Sequence, residues 1–232
     1  MTALLKLIDK AHFSPTLTYE HASFQGVESS LPPLFYGRQV HKTHIIDVTS
    51  RERPNDKDPE EGDGVFSTTK GHGVAVKTAD CLPVILVAKG FAMALHCGWR
   101  GLSLGMVEKG LFLVDKKVSY KDKEGLSIYL GPCIQASGFE VESDVVEAFI
   151  EEDLPKAALT KEQALFALTK GRQRSKWHFD MQMAAMFQMV NFGVDPEKIH
   201  IARICTKEDA RFYSYRQNPQ NPGRNISFGV VA

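Results

Sequence analysis

Residues 73–101 read G-V-A-V-K-T-A-D-C-L-P-V-I-L-V-A-K-G-F-A-M-A-L-H-C-G-W-R-G, and the reading of this stretch sets the rest of the fold. Two apolar runs, 82–88 and 91–96, flank Lys89-Gly90. Apolar runs of this length, bounded by glycine, predict buried strands. Lys89-Gly90 predicts a two-residue hairpin loop between them. Ala88 then faces Phe91, and counting back puts Pro83 opposite His96. Cys81 lies two residues from Pro83, so it shares the face of His96 as its diagonal neighbour. Diagonal Cα atoms sit about 7–8 Å apart, within reach of a shared ligand. Alternation sends Asp80 and Cys97 to the opposite face. Pro83 cannot donate to a ladder, so an edge or a bulge is expected there, and a bulge would invert this parity.

Composition narrows the class. A chain of 232 residues with 43% apolar content can bury a full core, as one domain or two small ones. Its 28 basic and 28 acidic residues cancel, with no long run of one sign. No nucleic-acid partner is expected on that balance. No run of eighteen apolar residues occurs, so no membrane span is expected. The opening M-T-A-L-L-K-L-I-D-K has Lys and Asp where a signal peptide needs an apolar core. The expected location is the cytoplasm, with the four cysteines as thiols.

Outward from the hairpin, residues 38–48 predict a strand from their β-branched content. His41 and His44 are an odd number apart, so at most one joins a given site. Residues 51–62 read as a charged surface loop, followed by a turn at Asp63-Gly64 into a short strand. Gly98–Gly101 predicts a turn feeding a helix over 102–115. Such a turn offers backbone N–H groups to an anion, and Arg100 beside it can hold phosphate or carboxylate in a bidentate fork. Residues 116–125 predict a loop, 126–130 a strand, 151–163 a charged connection and 164–169 a strand. Asp180 predicts the cap of a helix ending at Phe192 and stopped by Gly193. Its methionines, 181, 183, 186 and 189, read as core filler. Strands follow at 199–204 and 226–231. Interspersed strands and helices give an α/β or α+β class.

Cys81 and His96, with one more histidine, make a three-ligand zinc constellation that leaves a fourth position for water. His41, His44, His72 and His178 all qualify as the third ligand. The same Cys81–His96 pair also suits a cysteine nucleophile activated by an imidazole. A third histidine at the spot favours metal, whereas a carboxylate or carboxamide orienting His96 favours the nucleophile.

Several short motifs occur in order: Q-V-H (39–41), D-G-V (63–65), T-A-D-C-L-P-V (78–84), H-C-G-W-R-G (96–101), G-P-C-I (131–134), F-Y-S-Y-R (212–216) and G-R (223–224). Together the chain resembles the YfiH family, also called laccase-domain or polyphenol-oxidoreductase-like, over about residues 37–231. The resemblance implies one layered α/β/β/α domain, taken as residues 1–232. It implies zinc on His41, Cys81 and His96, and phosphorolysis of adenosine, inosine, guanosine and methylthioadenosine, with adenosine deamination alongside. Purine nucleoside and phosphate are the implied partners. Asp80 is then the nearest group in sequence for moving protons. Arg100, Arg216 and Arg224 become the expected phosphate or ribose contacts, Arg100 also as a catalytic group. Two departures stand out: Cys97 replaces the usual alanine, and the usual G-P-C-I-G-P-C reads G-P-C-I-Q-A-S-G. Copper on the same triad is a weaker expectation, because a multicopper oxidase needs a second cluster and the chain holds eight scattered histidines. Amidase action on a peptidoglycan precursor and a closed, zinc-stabilised binding protein, with His72 or Cys133 as fourth ligand, are the remaining alternatives.

Overall fold

The computed structural model describes residues 12–14, 32–55, 57–150, 159–171 and 176–232. The opening decapeptide and most of the charged connection at 151–163 therefore lie outside the described residues.

The hairpin is the centre of a seven-stranded sheet. From edge to edge the order is β1 (His12–Ser14), β12 (Ile199–Ala202), β8 (Ser127–Leu130), β6 (Leu82–Ala88), β7 (Phe91–Cys97), β4 (Gly64–Ser67) and β3 (Ile45–Asp47). The β6–β7 register pairs Ala88 with Phe91 and Pro83 with His96 throughout, without a bulge. Gly90 takes φ +66° in the loop, a conformation that costs glycine nothing. Pro83 is neither at an edge nor at a bulge. The ladder to β8 starts only at Val84, so the missing N–H deprives no strand partner.

Alternation along the hairpin divides the core into two halves. Leu82, Val84, Leu86, Met93, Leu95 and Cys97 pack with Met106, Leu111 and Val114 of helix α2 (Met106–Lys117) and with Met186 and Phe187 of helix α6 (Met181–Phe192). Ile85, Ala92 and Ala94 face the other way, against Val74, Val76 and Phe35. Those residues belong to a three-stranded sheet of order β13 (Asn225–Val230), β5 (Gly73–Thr78), β2 (Leu34–Phe35). A Cβ at Gly229 would lie 2.9 Å from Ile85 Cγ2, so the two sheets approach as closely as that glycine permits. Each large side chain buried in these halves contributes about 1.5–3 kcal/mol. Helices, large sheet and small sheet are three of the four expected layers. A second small sheet, β10 (Leu168–Lys170), β11 (Trp177–Phe179) and β9 (Glu140–Val141), lies alongside.

Helix α6 follows its sequence signals. Asp180 Oδ1 accepts from the Met183 N–H at 2.9 Å, and Gly193 ends the helix with φ +106°. Met181, Met183, Met186 and Met189 are all buried in the core.

Four elements differ from expectation. Residues 102–115 are not one helix: α1 (Trp99–Ser103) starts directly after Gly98, and Gly105, at φ +78°, breaks it from α2. The 116–125 loop contains one turn of helix, α3 (Tyr120–Lys123), capped by Ser119. The expected strand at 164–169 is mostly helix. After α4 (Ser143–Ile150), helix α5 spans Lys161–Ala167, because Thr160 and Gln163 form a reciprocal capping box that favours a helical start. The strand expected at 38–48 shrinks to β3, since His41 adopts φ +59°, outside the extended region. Among the described residues no helix is long and apolar enough to cross a membrane.

Candidate metal centre

Three segments deliver three donors to one point. His96 is the penultimate residue of β7, Cys81 ends the turn between β5 and β6, and His41 sits in the turn ahead of β3. Their donor atoms all lie within 4.8 Å of one another. The rings of His41 and His96 meet edge to face, with centroids 4.9 Å apart. His96 is buried, Cys81 half-buried and His41 exposed. Among the described residues this is the only such cluster of His, Cys, Asp or Glu.

One carboxylate organises it. Asp63, with its side chain fully buried, accepts His96 Nδ1 at 2.8 Å. It also accepts the successive N–H groups of Val40, His41 and Lys42 at 3.1, 2.8 and 2.8 Å. Consecutive N–H groups around a left-handed residue form an anion-holding nest, which explains how His41 sustains its positive φ. Gln39 anchors the same turn, its carboxamide exchanging hydrogen bonds with both the N–H and the C=O of Lys77. Asp63 thus aims both histidines, and its bond to Nδ1 leaves Nε2 of His96 for a ligand.

The electrostatics follow. Burial opposes charge on Asp63, yet the bonds from His96, Lys42 and Val40 hold its pKa below the ordinary value. Burial also disfavours a charged His96, but Asp63 and then Cys81 raise its pKa to about 9. Burial pushes the Cys81 thiol up, while hydrogen bonds from His41 and His96 and their charge bring it down to about 6. Cys81 is therefore a thiolate at neutral pH, the form that ligates metal.

The donor set fits a metal ion, and the space around it does too. An added Cβ at Gly98 would stand 3.0 Å from Cys81 Sγ and 3.6 Å from His41 Cδ2. Gly98 has φ −67° and ψ 168°, which alanine adopts freely, so substitution there tests crowding alone. Gly98→Ala is expected to weaken metal binding about tenfold, the low end for groups that position ligands. Competition with a chromophoric chelator measures it, with the melting temperature near that of the native protein.

The donors form part of the wall of a cavity of about 450 Å³. Ile134, Phe139, Met181 and Tyr215 give it apolar surface, and Arg100, Arg216 and Arg224 line it. Arg100 lies 4.3 Å from the Trp99 ring centroid. The Arg216 guanidinium donates to the Glu140 carbonyl at 3.2 and 3.3 Å, and Arg224 Nη1 donates to the Gly223 carbonyl at 2.5 Å.

Other expected groups fall elsewhere. His44 is exposed and meets Glu60 at 3.2 Å. His72 is buried against Phe35 and bonded to Ser67. His178 bonds the Ala136 carbonyl. Cys133 is a buried free thiol whose backbone pairs with that of Cys205, and it is not part of the donor cluster. Cys97 packs in the helix-side core, where burial raises its thiol well above the ordinary value. Asp80 is the correction: it lines the same cavity instead of facing away. β6 begins only at Leu82, and Asp80 takes φ +86°, so strand alternation does not reach it. Gln135, the chain's own departure from the usual G-P-C turn, stands behind the wall, bonding Gln182 and Cys133. Reading the residues missed Asp63 as the organiser; its signal was an acid at the mouth of a buried strand.

A family model described as multi-copper polyphenol oxidoreductase laccase matches residues 21–232. A purine nucleoside phosphorylase YfiH of Escherichia coli is 32% identical over 193 residues, covering 82% of this chain and 70% of the relative. A purine nucleoside phosphorylase of Bacteroides thetaiotaomicron is 31% identical over 170 residues, covering 71% of this chain, which spans only 59% of that relative's length. An adenosine deaminase RL5 from an unknown prokaryote is 28% identical over 210 residues, covering 85% and 74%. Among solved structures, a Neisseria meningitidis protein superposes with TM-score 0.72 at 28% identity, covering 88% of this chain and 77% of the other. YfiH of Bacillus licheniformis superposes with TM-score 0.75 at 20% identity, covering 86% and 74%, a likeness of fold. With a family match from residue 21 to the last residue and motif, relative and fold in agreement, this chain belongs to the multi-copper polyphenol oxidoreductase laccase family, among its YfiH-like members.

Proposed function

We propose that this protein is a zinc-dependent purine nucleoside phosphorylase acting on adenosine and related purine nucleosides (inosine, guanosine, methylthioadenosine), with adenosine deamination as a companion activity. The observation that carries the reading is the convergence of His41, Cys81 and His96 on the wall of a cavity that three arginines also line. Two imidazoles and a thiolate suit zinc with one open position. Bound there, zinc would supply Lewis acidity, orienting phosphate or acidifying water. The remaining work belongs to the chain. Asp63 holds Nδ1 of His96 and the backbone of the His41 turn, so the donors need little reorganisation. Trp99, Phe139 and Tyr215 offer flat apolar surface to a purine. Arg100, Arg216 and Arg224 supply positive charge for phosphate at the rim. The cavity volume suits a nucleoside-sized ligand.

A second reading has its own support. Asp63–His96–Cys81 is also the order of a carboxylate, an imidazole and a nucleophilic thiolate, which serves an amidase acting on a peptidoglycan precursor. His41 weighs against it, because a second imidazole on the same sulfur is redundant for a nucleophile and needed for a metal. Copper in laccase chemistry fits less well, since no second cluster exists among the described residues. A closed structural zinc lacks a fourth ligand there for the same reason.

The test incubates adenosine with zinc-loaded protein, with and without phosphate, and separates the products. Adenine release that requires phosphate, with a smaller inosine fraction independent of it, is expected. No turnover of adenosine, inosine, guanosine or methylthioadenosine, with amide hydrolysis of a muramyl peptide instead, overturns the reading.

A further inference from the structure

Asp80 is buried and belongs to no strand, and its φ of +86° is rare outside glycine, with Asp and Asn the usual exceptions. Such a backbone persists only where its surroundings hold it. Three remote segments do so. Its carbonyl accepts the Ile134 N–H at 3.0 Å. Its Oδ1 accepts the hydroxyl of fully buried Thr206 at 2.7 Å, and its Oδ2 accepts the Arg216 N–H at 2.6 Å. Both carboxylate oxygens are thus engaged by protein donors, from 126 and 136 positions away.

The consequence lies in what those donors carry. Ile134, Tyr215 and Arg216 line the cavity beside Cys81. At its far end the 213–216 segment is fixed separately, by paired hydrogen bonds between Asn225 and Tyr213 at 2.9 and 2.8 Å. At the cavity end the Asp80 carboxylate anchors the backbone, through the Arg216 N–H. We infer that Asp80 is a positioning residue, a latch that ties the C-terminal arm bearing Tyr215 and Arg216 to the metal-ligand turn and so sets the substrate-binding wall. It replaces the proton-moving role expected for Asp80 from its place in sequence. The assignment rests on the proposed reaction only for its kinetic readout.

Asp80→Asn isolates the effect. Asparagine tolerates the left-handed backbone but is neutral. The Arg216 N–H keeps at best an uncharged acceptor in place of the carboxylate, a hydrogen bond about half as strong, and the Thr206 hydroxyl has to turn and accept from the new NH₂ group. Hydrogen exchange, followed by mass spectrometry on the peptide holding Arg216, is expected to be at least about tenfold faster than in the native protein, with zinc content unchanged. KM for adenosine and for phosphate is expected to rise about tenfold, with kcat within about threefold. Adding Asp80→Asn to Arg216→Ala should cost little more than the larger single change, since groups acting through one contact are not additive. Thr206→Val, which removes one arm of the junction, should reproduce a smaller part of the exchange effect. Native-like exchange at Arg216 in Asp80→Asn overturns the latch whatever the enzyme's activity. A kcat collapse with unchanged KM and unchanged exchange overturns it too, and returns Asp80 to the chemistry. Faster exchange in a protein inert toward every purine nucleoside leaves the latch standing and removes the phosphorylase reading instead.

Discussion

Cys81→Ser is expected to empty the metal site. A serine hydroxyl stays protonated where the Cys81 thiol, at about 6, is already a thiolate, so the variant offers zinc a neutral oxygen in place of a charged sulfur. A four-ligand zinc site is worth about 10–16 kcal/mol, or about 2.5–4 kcal/mol for each ligand. That share corresponds to a loss of about 10²–10³ in affinity. Zinc content should fall from about one per chain to a small fraction, and adenosine turnover should fall with it. The fold should survive, because Cys81 is half-buried at a turn and outside both halves of the hydrophobic core. Far-UV circular dichroism and the metal content of the same preparation check both halves of this expectation.

Asp63→Asn is the second large effect, and it leaves every ligand in place. The carboxylate receives three backbone N–H groups and His96 Nδ1. A carboxamide has one accepting oxygen, so at least one buried donor meets an NH₂ group and goes unpaired, at about 1–3 kcal/mol. His41 then loses the nest that sustains its φ of +59°, and His96 loses the partner that fixes which nitrogen carries its proton. Metal affinity should fall about 10–100-fold, as for other carboxylates behind a ligating histidine. The His96 pKa in metal-free protein, raised to about 9, should drop toward the ordinary imidazole value of 6.5, because the Asp63 carboxylate that raises it most is gone. Zinc titration and a histidine NMR titration read the two effects. Native zinc affinity in Asp63→Asn would show that the histidines are placed without the nest.

The sequence was most informative where one physical rule acted over consecutive residues. Apolar runs around Lys89-Gly90 determined the hairpin, its register and the pairing of Pro83 with His96. The same alternation placed Cys97 in the helix-side core. It failed one residue outside the strand: Asp80 takes a positive φ, which side-chain periodicity does not encode. Residues 164–169 show the limit of short apolar runs, which suit strand and helix alike. The deciding signal was the Thr160–Gln163 capping box, one turn upstream. Asp63 was harder, because its role exists only in contacts with His96, 33 positions away, and with the 40–42 turn. His41 could be chosen over His44, His72 and His178 only by resemblance, since His41 reaches the site from a turn with no periodic pattern.

The most direct test is the metal content of protein purified without added metal, by mass spectrometry, beside that of Cys81→Ser. About one zinc per native chain and almost none in the variant is the result the zinc reading predicts. Metal-free native protein that binds no added zinc, yet loses amide-hydrolysing activity in Cys81→Ser, would contradict it and make Cys81 a nucleophile.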